Sequence, residues 1–209
     1  MLPIPGPPEL WPRLGRLMFG LVLFGLGLAL MVIAELGLSP WDVFHQGVSE
    51  RIGIPIGTVV IITGLLLLVF WIPLKERIGI GTIANAIVIG LTLDVALLVL
   101  PESLDATAAR WLAMLTGVVM VAIGSGFYIG AGLGPGPRDG LMTGLARITG
   151  RPIGLVRGVL EVAVLIVGWL LGGTVGVGTL VFAFGIGPLV QFFLNKLQLA
   201  PVVKDTGAG

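Results

Sequence analysis

The stretch Gly37-Leu38-Ser39-Pro40-Trp41-Asp42 returns 97 residues later as Gly134-Pro135-Gly136-Pro137-Arg138-Asp139. The match extends without a gap from Arg13/Arg110 to Leu97/Leu194. Gly47, Gly53, Pro55, Ile56 and Gly57 fall on Gly144, Gly150, Pro152, Ile153 and Gly154, and Gly79, Gly81, Thr82 and Gly90 fall on Gly176, Gly178, Thr179 and Gly187. Roughly 23 positions are identical where this composition gives about 9 by chance, which marks an internal duplication. What the copies share is mostly Gly and Pro, the residues that fix a backbone path, plus one Asp.

Both copies are apolar. Of the 209 residues 56% are hydrophobic and 11% charged, and the mean hydropathy is +1.09. A soluble domain carries about a quarter charged residues, so this composition indicates the lipid bilayer as solvent. The net charge of +1 gives no footprint for nucleic acid. The absence of cysteine excludes disulfides, thiol nucleophiles and thiolate metal sites. The lone His45 cannot form a histidine cluster and reads first as a polar residue at the membrane surface. No cofactor, metal site or catalytic constellation is expected, and the chain reads as a non-enzyme.

Six apolar runs reach the roughly 20 residues needed to cross a bilayer: 17–36, 56–74, 78–99, 111–131, 153–171 and 175–194. In lipid such segments pair their backbone groups internally, as helices. Leu17–Leu36 is too long for a cleaved signal and lacks a cleavage site. Between the first two runs, Ser39 is a suitable N-cap, Pro40 suits the first helical position, Asp42 falls at N3 and Gly53 terminates. A short amphipathic helix is therefore expected there and again after Gly136. The expected fold is all-α: six transmembrane helices and two short helices in two tandem repeats. The expected division is a Pro-rich lead 1–12, repeat one 13–100, repeat two 110–197 and a polar tail 198–209.

A 13-residue helix spans about 20 Å and is too polar to cross comfortably. Three crossings per repeat then force the second copy to enter from the opposite side, as an inverted repeat. The charges agree. With the N-terminus inside, the inner side holds Arg13, Arg16, Lys75, Arg77, Arg138, Arg147, Arg151, Arg157, Lys196 and Lys204, against Arg51 and Arg110 outside. Both termini are expected in the cytosol, with Asp42 near the outer face and Asp139 near the inner face. Eight crossings, with the short helices spanning, is the alternative.

The motif residues Gly37, Pro40, Gly134 and Pro137 break one helix and open another, whose free N–H groups favour anionic groups. The candidate substrate-binding residues are Trp41, Asp42, His45, Arg138, Asp139, Glu161, Asn85 and Glu35. Asp42 and Asp139 read first as helix caps and second as coupling groups. Arg138 suits a carboxylate or phosphate, or else marks the cytosolic boundary. Glu161 lies inside the fifth run, four residues after Arg157, as an ion pair or a translocation residue. Asp94 reads as solvated near the outer surface.

The two Pro-X-Asp motifs and their flanking glycines resemble the YczE/YitT type of bacterial integral membrane protein over residues 13 to 195. The soluble C-terminal domain of YitT-like members has no counterpart here, so the resemblance is nearer to YczE. It implies a multi-pass protein of the bacterial cytoplasmic membrane without an agreed activity. Family members encoded beside regulators of the pyridoxal-phosphate-binding type imply vitamin B6 vitamers or amino-acid-like solutes. The leading expectation is a secondary transporter for a small polar or anionic solute bound between the repeats. The alternatives are a membrane scaffold or assembly factor, or the substrate-binding subunit of a larger uptake system. The expected partners are the lipid bilayer and a small-molecule solute, with homo-oligomerisation left open.

Overall fold

A computed structural model describes residues 6–199. They form eight α-helices: α1 (Pro7–Ala34), α2 (Pro40–Ile52), α3 (Ile56–Leu74), α4 (Ile80–Val99), α5 (Thr107–Gly130), α6 (Pro137–Thr149), α7 (Ile153–Leu170) and α8 (Val177–Leu197). Six of them, all but α2 and α6, are long and apolar enough to cross a membrane. The chain is a polytopic membrane protein, as its composition predicts. One boundary differs. The expected extended lead is already helical from Pro7, a proline that suits the first turn, and Pro12 lies inside the helix. Most of the expected polar tail lies outside the described residues.

The centre of the molecule is the antiparallel pair α1 and α5. Gly20 faces Gly124 and Gly27 faces Gly117. A Cβ on Gly20 would stand 2.6 Å from the Gly124 carbonyl oxygen, and one on Gly117 would stand 2.6 Å from that of Gly27. Small residues let backbones approach where burial of apolar surface from water cannot drive packing. Arginines lock both ends of the seam. Arg13 Nη1 donates to the Ala131 carbonyl at 2.9 Å, and Arg110 Nε donates to that of Ala34 at 2.7 Å.

These contacts recur under the 97-residue offset, with the partners exchanged. Gly81 N donates to Leu133 O at 2.9 Å, and Gly178 N donates to Leu36 O at 2.7 Å. Thr82 Oγ1 accepts from Gly79 N as Thr179 Oγ1 accepts from Gly176 N. Gly37 and Gly134 hold matching left-handed backbones (φ +110° and +129°) at the two helix breaks. The bonds to Leu36 and Leu133 satisfy the irregular segments that lead into the short helices. Irregular backbone at membrane depth is tolerated when protein covers it.

α2 is capped as its sequence predicts. Ser39 Oγ accepts from Asp42 N at 3.2 Å, and Gly53 ends the helix in the left-handed region. α2 packs on α7, where Gly168 lies against Val43 and Phe44. α6 packs on α3, where Gly140 lies under the Trp71 ring and the Trp71 indole N–H donates to Pro137 O at 3.0 Å. The last turn of α2 meets the α7–α8 turn, with Arg51 Nε donating to Leu171 O at 3.2 Å. The last turn of α6 meets the α3–α4 turn, where Arg147 donates to Leu74 O and pairs with Glu76 at 2.7 Å. The short helices thus begin together at mid-span and run toward opposite ends.

Candidate functional site

The first turns of α2 and α6 converge on a cavity of about 300 Å³ walled by α3, α4, α5, α7 and α8. This corrects the expectation that Asp42 and Asp139 lie near opposite faces. Both line the cavity, and Arg138 Nη2 stands 3.6 Å from the Asp42 carboxylate. The reason lies in residues 35–39 and 132–136. Each dips back into the bundle before its short helix starts, so the helix climbs outward from the centre instead of lying on a surface.

Asp42 is 2% exposed and caught from three directions. Ser39 Oγ donates to one carboxylate oxygen, His45 Nδ1 lies 3.1 Å from the other, and Arg138 approaches from α6. Burial pushes the Asp42 carboxyl up. The His45 and Ser39 hydrogen bonds and the Arg138 charge outweigh this and hold it below the usual carboxylate range. The expectation of His45 at the membrane surface is overturned, because its side chain is 1% exposed. Burial, only partly offset by Asp42, lowers its pKa, so His45 is neutral near pH 7. Its Nε2 has no partner among the described residues. The i, i+3 spacing of Asp42 and His45 puts both on the face of α2 that turns inward.

Arg138 is a cavity residue and not a boundary residue. Its guanidinium lies over the Trp41 ring, 5.2 Å from the centroid. Trp41 and Arg138, which occupy equivalent positions of the two copies, therefore stack on each other. The Trp41 indole N–H, on a side chain 6% exposed, is without a partner among the described residues. Asp139 accepts from Tyr128 Oη at 3.1 Å. Arg157 Nε donates to Glu161 at 2.8 Å across one turn of α7. Asn85 faces the cavity from α4.

Of the residues singled out from sequence, Trp41, Asp42, Arg138, Asp139, Glu161, Asn85, Pro40 and Pro137 line the cavity. His45 stands behind Asp42. Gly37 and Gly134 sit at the breaks, packed on the starts of α8 and α4. Glu35 lies elsewhere: it pairs with Arg110 at 3.1 Å where α1 ends. Asp94 is not simply solvated. Its carboxylate accepts from Gly57 N at 2.6 Å and Thr58 Oγ1 at 2.9 Å, bridging α4 to the start of α3. Tyr128 was missed, although the chain's single tyrosine inside an apolar run was a usable signal.

The cavity is walled unequally. α3 and α4 are tightly joined, and a Cβ on Gly57 would stand 2.0 Å from the Gly90 carbonyl oxygen. The copies of these residues, Gly154 on α7 and Gly187 on α8, have nothing within 4 Å. The positions of Val60 and Gly64 in α3 are taken by Arg157 and Glu161 in α7. The cavity reaches into the gap between α7 and α8.

Residues 11–195 match a family model described as a family of unknown function, DUF6198. An uncharacterized protein of Haemophilus influenzae is 40% identical over 185 residues, covering 88% of this chain and 84% of its own. The uncharacterized membrane protein YczE of Bacillus subtilis is 34% identical over 183 residues, covering 86% of this chain and 85% of its own. The uncharacterized protein YyaS of the same organism is 26% identical over 183 residues, covering 86% and 90%. No solved structure matches the chain. The match to YczE agrees with the resemblance carried by the Pro-Trp-Asp and Pro-Arg-Asp motifs. On these matches, the chain belongs to the DUF6198 family, as a YczE-type membrane protein.

Proposed function

We propose that this protein is a secondary transporter of a small polar solute, which binds in the central cavity between two inverted repeats. It would lie in the bacterial cytoplasmic membrane with both termini in the cytosol. The excess of Lys and Arg on the α6 and N-terminal side supports that orientation. The exchange of partners in the α1–α5 and loop contacts supports an in-plane two-fold relation between the copies.

One observation carries the transport reading. The same glycine pair is closed in one copy and open in the other: Gly57 on Gly90, against Gly154 apart from Gly187. If the copies exchange conformations, α7 closes on α8 while α3 leaves α4, and the cavity changes sides. In the proposed orientation the open gap faces the cytosol.

A second reading is favoured by the same gap. Gly154, Gly158, Gly185 and Gly187 all have open space beside them, which suits a helix of a partner in a larger uptake system or scaffold. Cross-linking separates the two readings. The chain has no cysteine, so Leu155→Cys with Gln191→Cys, whose equivalents Thr58 and Asp94 touch in the closed copy, can be oxidised in membranes without background. The transporter reading expects a disulfide to form as α7 visits the closed state. A pair that never cross-links, even with short bifunctional reagents, favours the docking reading.

A further inference from the structure

We infer that the solute taken by this cavity carries a positively charged nitrogen, held by Asp139. The inference rests on the transporter reading and names the chemistry of its cavity. The ionisable groups on the wall are three carboxylates, Asp42, Asp139 and Glu161, and two guanidinium groups, Arg138 and Arg157. Two pairs are made: Arg138 with Asp42, and Arg157 with Glu161. Asp139 makes no ion pair within 4 Å among the described residues and accepts from the neutral hydroxyl of Tyr128. It stands in the first turn of α6. A carboxylate at membrane depth calls for a partner.

Two further observations point to a ligand beside it. Asp139 Oδ2, Tyr128 Oη and Asn85 Nδ2 converge within 3.2, 3.3 and 3.4 Å of the place a Cβ on Gly136 would take. An ammonium group bound by Asp139 would meet Tyr128 Oη as a further acceptor, and the Asn85 amide borders the same space. Across the cavity, the buried indole N–H of Trp41 is unpartnered, a donor for a neutral or anionic oxygen at the other end of the solute. Arg138, which suggests an anionic solute when only the sequence is read, is already committed to Asp42 and to the Trp41 ring.

The test is thermal unfolding of the purified protein with three five-carbon probes of equal length: 1,5-diaminopentane, 5-aminopentanoate and glutarate. At 20 mM, a site of 1 mM affinity shifts the folding equilibrium about 20-fold. Stabilisation by either amine-bearing probe, and none by glutarate, is the expected result. Asp139→Asn should abolish the shift, Asp139→Glu should keep part of it, and Glu35→Gln, far from the cavity, should keep all of it. The comparison of probes on the parent protein stands even if an Asp139 variant folds poorly. Stabilisation by glutarate alone overturns the charge assignment and leaves the solute cavity standing. Stabilisation by none of the probes overturns the charge assignment and counts against the transporter reading too. An amine shift that survives in Asp139→Asn assigns the cation elsewhere and overturns the role of Asp139.

Discussion

Alanine at equivalent glycines of the two copies should act in opposite directions. In Gly57→Ala the new Cβ would meet the Gly90 carbonyl oxygen at 2.0 Å and Asp94 Oδ1 at 2.6 Å. Neither backbone can yield, so α3 must move away from α4 by more than 1 Å (about the gap to an ordinary contact). Overpacking of this kind costs about 1–3 kcal/mol. Weakening the charge-assisted bond from Gly57 N to Asp94 costs about another 1–2 kcal/mol. The helix propensity of alanine returns at most about 1 kcal/mol. The net loss is about 1–4 kcal/mol, or about 2–16 °C in melting temperature for a chain of this length. Gly154→Ala meets nothing within 4 Å. It should leave the melting temperature unchanged or raise it by up to about 3 °C through propensity alone. The assay is intrinsic-fluorescence melting of both variants in one detergent. Equal losses would refute the reasoning, since they would mean that the α7–α8 seam is packed like the α3–α4 seam.

Other consequences follow from single contacts. Asp94→Asn keeps one acceptor but loses the charge at the start of α3, and should cost about 1–2 kcal/mol in chemical unfolding. Arg13→Gln and Arg110→Gln should destabilise by similar amounts, about 1–2 kcal/mol, because each locks an equivalent end of the α1–α5 seam. His45 is held neutral between Asp42, Arg138, Trp41 and Phe44, with its pKa lowered. Below about pH 6.5 the unfolded chain therefore binds a proton that the folded one does not, and stability falls with acidification by up to about 1.4 kcal/mol per pH unit. His45→Gln should flatten that slope between pH 7 and 5, as read by melting temperature against pH. Ser49→Cys and Ala146→Cys should label from opposite sides of the membrane, and labelling of both from one side would sink the inverted arrangement.

The short helices were legible because their signals are local. Ser39, Pro40 and Gly53 fix a cap, a first turn and a stop without help from the rest of the chain, and the observed Pro40–Ile52 follows them. The depth of the short helices was not legible. It depends on Gly178 and Gly81 donating to Leu36 and Leu133 from more than 50 residues away in sequence, and no periodicity encodes such a bond. That is why Asp42 and Asp139 were expected at separate faces and Arg138 at a boundary. His45 was misplaced for a related reason. A lone polar residue on a mixed helix face is assigned to water unless its partner is known, and that partner, Asp42, is itself buried. The inequality of the two seams was half visible. Arg157 and Glu161 replace Val60 and Gly64 in the sequence, but only the structure relates that change to the opening of Gly154 from Gly187.

The central claim is that one seam opens as the other closes. Spin labels at Val159→Cys and Phe184→Cys, on the exposed sides of α7 and α8, report the open seam, and labels at the equivalent Ile62→Cys and Ile87→Cys report the closed one. Pulsed dipolar distances in lipid nanodiscs should show two populations for each pair. The long population of one pair should grow as the short population of the other grows when 1,5-diaminopentane or a change of pH shifts the balance. A single fixed distance for each pair, unmoved by any condition, would contradict the account and leave a static membrane scaffold.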